Sequence, residues 1–185
     1  MMKITGGAAR GTVLSAPKGL STRPTLGRVR ESIFNVLANV GIIDTKVLDI
    51  FAGTGAMGLE ALSRGAAEAV FIDKATARFI RDNARKCGVP EKISILTKDV
   101  HQSLRSLKGR QFDYIFMDPP YDRGYVDAVL KTIFDNSLLA DDGIIAVEHI
   151  VAEPPDASVF EPYCVIWKVK KYSETAVTYL RRLRA

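Results

Sequence analysis

From Val47 onward the chain alternates between two hydrophobic patterns. Short unbroken apolar runs bounded by turn residues predict buried strands near residues 47–50, 69–72, 93–96, 112–117 and 143–148. Between them, apolar residues recur at helical spacing near 56–64, 75–87, 100–107 and 126–136. Strands that alternate with helices predict an α/β fold with a mostly parallel, doubly wound sheet. Upstream, Val29, Ile33, Phe34, Val36, Leu37 and Val40 repeat on one face and predict a helix over 28–40. Residues 2–16 hold two short apolar runs around Gly6-Gly7, the pattern of a β-hairpin, and Pro17 to Gly27 reads as a loop. At the other end, Cys164 to Lys170 and Ala176 to Leu180 are β-rich runs separated by a short polar turn, which predicts a terminal antiparallel hairpin. The expected organisation is a β-hairpin and basic loop at 1–27 appended to a main domain at 28–185, one compact domain in all.

Two strand ends carry candidate chemistry. Val47 to Phe51 runs into Ala52-Gly53-Thr54-Gly55-Ala56-Met57-Gly58, where Gly53, Gly55 and Gly58 form G-x-G-x-x-G between a predicted strand and a predicted helix. Such a loop lets backbone approach a nucleotide-type ligand closely. Asp73 ends the next strand, 20 residues after Gly53, where an acid can hydrogen-bond ribose hydroxyls. Asp99 follows the third strand and suits either an adenine amine or a helix N-cap, and Val100 could pack on the ring. Asp49, four residues before Gly53, suits either the ammonium group of an amino-acid-bearing cofactor or a cap on the glycine loop. With 185 residues and two histidines there is little room for a hydride-handling second domain, so S-adenosylmethionine fits this loop better than NAD.

The second site is Asp118-Pro119-Pro120-Tyr121, which closes the apolar run Tyr114 to Met117. Two prolines give a stiff turn that offers carbonyl oxygens and no amide protons. The Asp118 carboxylate and the Pro119 carbonyl can each accept one proton of a flat NH2 group, and Tyr121 offers a face on which a base can stack. That combination suits methyl transfer to nitrogen. His149 and Glu148 are not expected to act as bases, because an activated methyl donor needs little acid–base help, and His101 reads as a helix-surface residue.

Asp49 to Ala66, together with Arg23-Pro24-Thr25, Arg28-Val29-Arg30-Glu31 and Asp118-Pro119-Pro120-Tyr121, resembles the RsmD-type bacterial 16S ribosomal RNA (guanine-N2)-methyltransferase family, over nearly the whole chain. The resemblance implies a Rossmann-like class I S-adenosylmethionine-dependent methyltransferase fold with an antiparallel C-terminal strand. It implies cofactor contacts from Asp49, Phe51, Gly53, Gly55, Asp73, Lys74, Asp99, Val100 and Asp118, and a catalytic Asp118, Pro119, Pro120 and Tyr121. The expected substrate is a guanine N2 amine in small-subunit ribosomal RNA or its particle, turned out of its stack. The alternatives are another planar amine, adenine N6 or the N5 of a glutamine, or a module that binds RNA without catalysis. The chain departs from the family pattern at Leu26-Gly27, where Thr-Asp is usual, and at Tyr172-Ser173, where Tyr-Gly is usual.

Charge agrees with a nucleic-acid partner. The net charge is +5. Lys3, Arg10, Lys18, Arg23, Arg28 and Arg30 face only Glu31 within the first 40 residues, and Lys168, Lys170, Lys171, Arg181, Arg182 and Arg184 face only Glu174 at the other end. Arg10, Arg23, Arg28 and Arg30 are the expected RNA contacts. Cys87 and Cys164 lack metal-ligand spacing, no apolar run approaches membrane length, and the start of the chain lacks the apolar block of a signal peptide. A cytoplasmic monomer without metal is expected.

Overall fold

The structure, a computed structural model, describes residues 2–17, 24–120 and 124–183. They form two compact units, Met1–Thr97 and Lys98–Ala185.

The first unit begins with an N-terminal segment whose strands meet only in one antiparallel bridge, Lys3 to Val13, with backbone bonds such as Ile4 N–H to the Thr12 carbonyl at 3.0 Å. Helix α1 (Pro24–Leu37) follows. Its start lies inside the stretch expected to be loop, because Pro24 opens the helix, where a missing N–H costs nothing. The expected boundary between residues 27 and 28 therefore falls within α1. Val29, Ile33, Phe34, Val36 and Leu37 are buried as the periodicity requires, whereas Val40 lies beyond the helix end and is 40% exposed. Strand β1 (Lys46–Ile50), helix α2 (Ala56–Ser63), strand β2 (Glu68–Ile72), helix α3 (Ala77–Lys86) and strand β3 (Ile93–Leu96) then alternate. The three strands are parallel in the order β3-β2-β1, with Val47 opposite Ala69 and Ala69 opposite Ile93. A 3-10 turn at Pro90–Lys92, not anticipated, leads into β3.

Glu60 on α2 ties the N-terminal segment down. Although 0% exposed, its carboxylate accepts from the Thr5 N–H at 2.8 Å, the Thr5 hydroxyl at 2.7 Å and the Gly6 N–H at 2.8 Å, and it pairs with Arg64 at 2.9 Å and Arg30 at 3.5 Å. A buried charge is tolerable only with such saturation.

The second unit comprises helix α4 (Val100–Ser106), strand β4 (Phe112–Met117), helix α5 (Tyr125–Asp135), strand β5 (Leu139–Ile150), helix α6 (Ala157–Phe160), strand β6 (Cys164–Tyr172) and strand β7 (Thr175–Arg182). The order is β4-β5-β7-β6. β5 runs parallel to β4 and β7 runs antiparallel to β5, so the final strand inserts between β5 and β6 as the C-terminal pattern predicted. β5 starts four residues earlier than expected, through an irregularity in its register that takes up the acidic Asp141-Asp142 pair. α6, a single turn, gave no periodic signal. The fold is thus a mostly parallel α/β architecture with an antiparallel C-terminal strand. Among the described residues no helix is long and apolar enough to cross a membrane.

Candidate active site

In the first unit, β1 ends in a turn built from left-handed residues: Phe51 at φ 62°, Gly53 at φ 54° and Gly55 at φ 78°. A left-handed phenylalanine is unusual, and such strain collects at ligand loops. The third glycine has another cause. A Cβ on Gly58 would lie 2.4 Å from Cε1 of Phe71, so a glycine is needed for α2 to pack against β2. A Cβ on Gly53 would meet no atom within 4 Å, which leaves the outer side of this turn accessible.

Two acids shape the loop. The buried Asp49 carboxylate accepts from the Gly58 N–H at 2.9 Å, which is the loop-capping alternative. Asp73 accepts from the Gly53 N–H at 2.9 Å through one oxygen and from Ala75 and Thr76 N–H at 2.9 and 3.0 Å through the other. It therefore braces the end of β2 to the glycine turn. Half-buried, it keeps lone-pair capacity for a hydroxyl. Lys74 is exposed beside it.

In the second unit, Asp99 is the N-cap of α4 and accepts from the His101 N–H at 2.9 Å, while Val100 is only 4% exposed. Of the two expected uses of Asp99, the cap is the one present in the geometry, and Val100 offers a ring little surface. β4 ends at Met117, paired in parallel register with Val147. The next residue along each strand is an acid, Asp118 and Glu148, and in-register parallel neighbours emerge on one side of a sheet. Pro119 is buried, Pro120 is exposed, and both line a cleft of about 300 Å³ together with Gly124, Asp127, Glu148 and Glu153. Among the described residues no lysine or arginine lines this cleft. Loss of water pushes the Glu148 carboxyl up to about 7, helped by the neighbouring Asp118 charge. Desolvation by the surrounding protein raises the Asp118 carboxyl as well, to about 6.

Glu148 is the residue that sequence reasoning set aside. The signal was present, since an acid that interrupts the apolar run Ile144 to Ile150 carries a desolvation cost with no evident structural return. His149 is different: its Nδ1–H donates to the Ile150 carbonyl at 2.8 Å and its Nε2 accepts from the Thr178 hydroxyl at 2.8 Å, so both ring nitrogens are engaged. His101 likewise bonds Thr132 at 2.8 Å and stacks edge-on against Tyr125. Tyr121 lies outside the described residues.

Of the expected RNA contacts, Arg10 and Arg28 are exposed and Arg23 lies outside the described residues. Arg30 requires correction. It is 4% exposed, ion-paired with Glu60 and hydrogen-bonded to the Lys3 carbonyl, so its charge serves the interior and cannot reach a phosphate. At the other end, Arg181 and Arg182 pair with Asp142 and Asp141 at 3.7 and 3.4 Å, while Lys168 and Lys171 are exposed on β6 and Lys170 is half-buried. The expected absence of acidic partners therefore does not hold for those arginines, because the register of β5 and β7 brings acids from Asp141-Asp142 to them.

Alternating β/α units, a glycine turn after the first strand and an acid-proline corner after the fourth define the methyltransferase class of Rossmann-like proteins. Residues 2–181 match the family model described as Conserved hypothetical protein 95. The chain is 40% identical over 154 residues to Ribosomal RNA small subunit methyltransferase D of Escherichia coli (strain K12), covering 81% of this chain and 75% of that protein. It is 32% identical over 152 residues to the protein of the same name from Haemophilus influenzae, covering 80% and 78%. The solved structure of yhhF from Escherichia coli superposes with a TM-score of 0.86 at 36% identity, over 98% of this chain and 97% of that one. SMU.776, solved in complex with SAH, has a TM-score of 0.66 over 85% of this chain and 49% of that one, and at 14% identity bears on the fold alone. The chain belongs to the RsmD-type methyltransferase family.

Proposed function

We propose that this chain is an S-adenosylmethionine-dependent ribosomal RNA methyltransferase that modifies the exocyclic N2 amine of a guanine in small-subunit RNA. The observation that carries the reading is the acceptor-only corner at the end of β4. Asp118 supplies a carboxylate, Pro119 has no N–H to offer, and the adjoining cleft holds further carboxylates and no cation among the described residues. Such a corner favours a group that presents only hydrogen-bond donors, as an aromatic amine does. The names of the relatives supply the ribosomal RNA, and the exposed Arg10, Arg28, Lys168 and Lys171 supply positive charge for phosphate.

The glycine turn suits the cofactor: Gly53 has open space over its Cα, and Asp73 keeps acceptor capacity at the end of β2. Bound there, S-adenosylmethionine supplies a methyl group activated by a sulfonium. The protein's own residues do the rest. Gly53, Gly55 and Asp73 hold the donor, with Asp49 keeping the loop in shape through Gly58. Phe51, Lys74, Asp99 and Val100 remain proposed neighbours of the donor, and Tyr121 remains a proposed stacking platform for the base. The Asp118 carboxylate and the Pro119 carbonyl accept the two N2 protons, which aims the nitrogen lone pair and offsets the positive charge that grows on nitrogen. The surplus proton leaves through Asp118 or directly to water.

The test is to incubate the protein with labelled S-adenosylmethionine and, separately, naked small-subunit RNA, the assembled particle and a protein fraction, then to map the product by mass. Label on guanine N2 of the RNA or particle is expected. Label on adenine or on a protein glutamine would overturn the reading.

A further inference from the structure

Methyl transfer as described above leaves Glu148 without a task. Its position is nevertheless specific. It follows Val147, whose partner Met117 precedes Asp118, so the two acids stand side by side at the ends of adjacent parallel strands. Its side chain is 9% exposed and lines the cleft with Pro119 and Pro120. Among the described residues the charged groups around it are Asp118 at the end of β4, Asp127 on α5 and Glu153 beyond β5; Asp127 accepts from the Asp156 N–H at 2.9 Å, and His149 faces Thr178 and its own backbone. A buried carboxylate among acids destabilises the fold unless it meets donors from a ligand.

We propose that Glu148 is the specificity-determining residue for the target base, accepting the N1–H of guanine while Asp118 accepts from N2. This inference rests on the guanine reading given under Proposed function. Guanine presents N1–H and N2–H2 side by side, two donor positions matched to two adjacent carboxylates. Adenine places the lone pair of N1 beside its amine, and a glutamine amide places a carbonyl oxygen there. Either would face the Glu148 carboxylate with an acceptor and be repelled. Asp118 and the prolyl turn alone accept any planar amine; the second carboxylate adds the choice among them.

The test uses small-subunit particles in which the methylated guanosine is replaced by 2-aminopurine riboside, which keeps the N2 amine and lacks N1–H. The wild-type protein should prefer guanosine by roughly tenfold or more in kcat/KM, the discrimination expected of a paired base-edge contact. In Glu148→Gln the amide can turn its NH2 toward an N1 lone pair, so the preference should shrink to within about twofold, with affinity for S-adenosylmethionine unchanged by calorimetry. Glu148→Asp keeps the charge on a shorter arm, should lower the preference partway, and serves alone if the Gln variant does not fold. A full preference retained in the variants overturns the assignment of Glu148 while leaving the guanine reading intact. A wild-type protein that methylates neither substrate at N2 overturns both.

Discussion

Replacing Glu148 by Gln should stabilise the protein at alkaline pH and do little at acid pH. The folded-state carboxyl is raised from 4.5 to about 7 by burial and by Asp118. Between those values the folded protein keeps a proton that the unfolded chain has already released, so stability falls as pH rises through this window and is level above it. At about 1.4 kcal/mol per unit the ionised side chain destabilises the fold by roughly 3 kcal/mol at pH 8, and by about half that if water in the cleft reaches the carboxylate. A neutral isostere escapes the cost. Urea unfolding of both proteins at pH 4.5, 6 and 8 measures it: the stability difference, variant minus wild type, should grow by roughly 1.5–3 kcal/mol from the lowest to the highest pH. A pH-independent difference would show that Glu148 ionises as an ordinary exposed acid, and the electrostatic basis for pairing it with Asp118 would be lost.

The other expectations concern packing and charge. Gly58→Ala sets a methyl 2.4 Å from the buried Phe71 ring and should cost about 1–3 kcal/mol in urea unfolding, with a loss below about 0.5 kcal/mol showing that the ring can swing aside. Gly27→Ala fills a helical position in α1 whose Cβ meets no atom within 4 Å and should raise stability by up to about 1 kcal/mol; a loss would argue against that helical turn. Arg28→Ala should leave stability alone and lower the salt dependence of RNA binding by about one unit of slope per lost phosphate contact. Arg30→Ala should instead cost on the order of 2 kcal/mol of stability, since Glu60 keeps Arg64 but loses a buried partner. Equal effects of the two arginines on both measurements would contradict their different burial.

Much of this was legible in the chain because strand ends announce themselves. Apolar runs that stop at Asp73 and Asp118 mark carboxyl edges, and G-x-G-x-x-G after the run Val47 to Phe51 fixes a strand-turn-helix. What the pattern could not distinguish is a side chain's job once it is at such an edge. Asp73 read as a ligand-binding acid and Asp49 as either that or a loop cap, yet both hold backbone N–H groups: Asp73 that of the left-handed Gly53 and Asp49 that of Gly58, an unpaired amide in the first turn of α2. Arg30 and Arg28 are two residues apart, but on a helix that spacing sends them to different faces, one toward Glu60 and one toward solvent. Glu148 stood out locally as an acid within an apolar run, but its place beside Asp118 comes from the register of β5 against β4, a long-range pairing that no local pattern encodes. The start of α1 at Pro24 was hidden by Gly27, a residue that normally interrupts helices.

The acceptor corner at Asp118 is the central claim, and Asp118→Ala tests it most directly. Calorimetry should show that S-adenosylmethionine still binds, while the single-turnover rate at saturating donor of methyl transfer to small-subunit RNA or its particle falls by on the order of a hundredfold or more. Normal donor binding with most of the transfer rate retained would contradict the account.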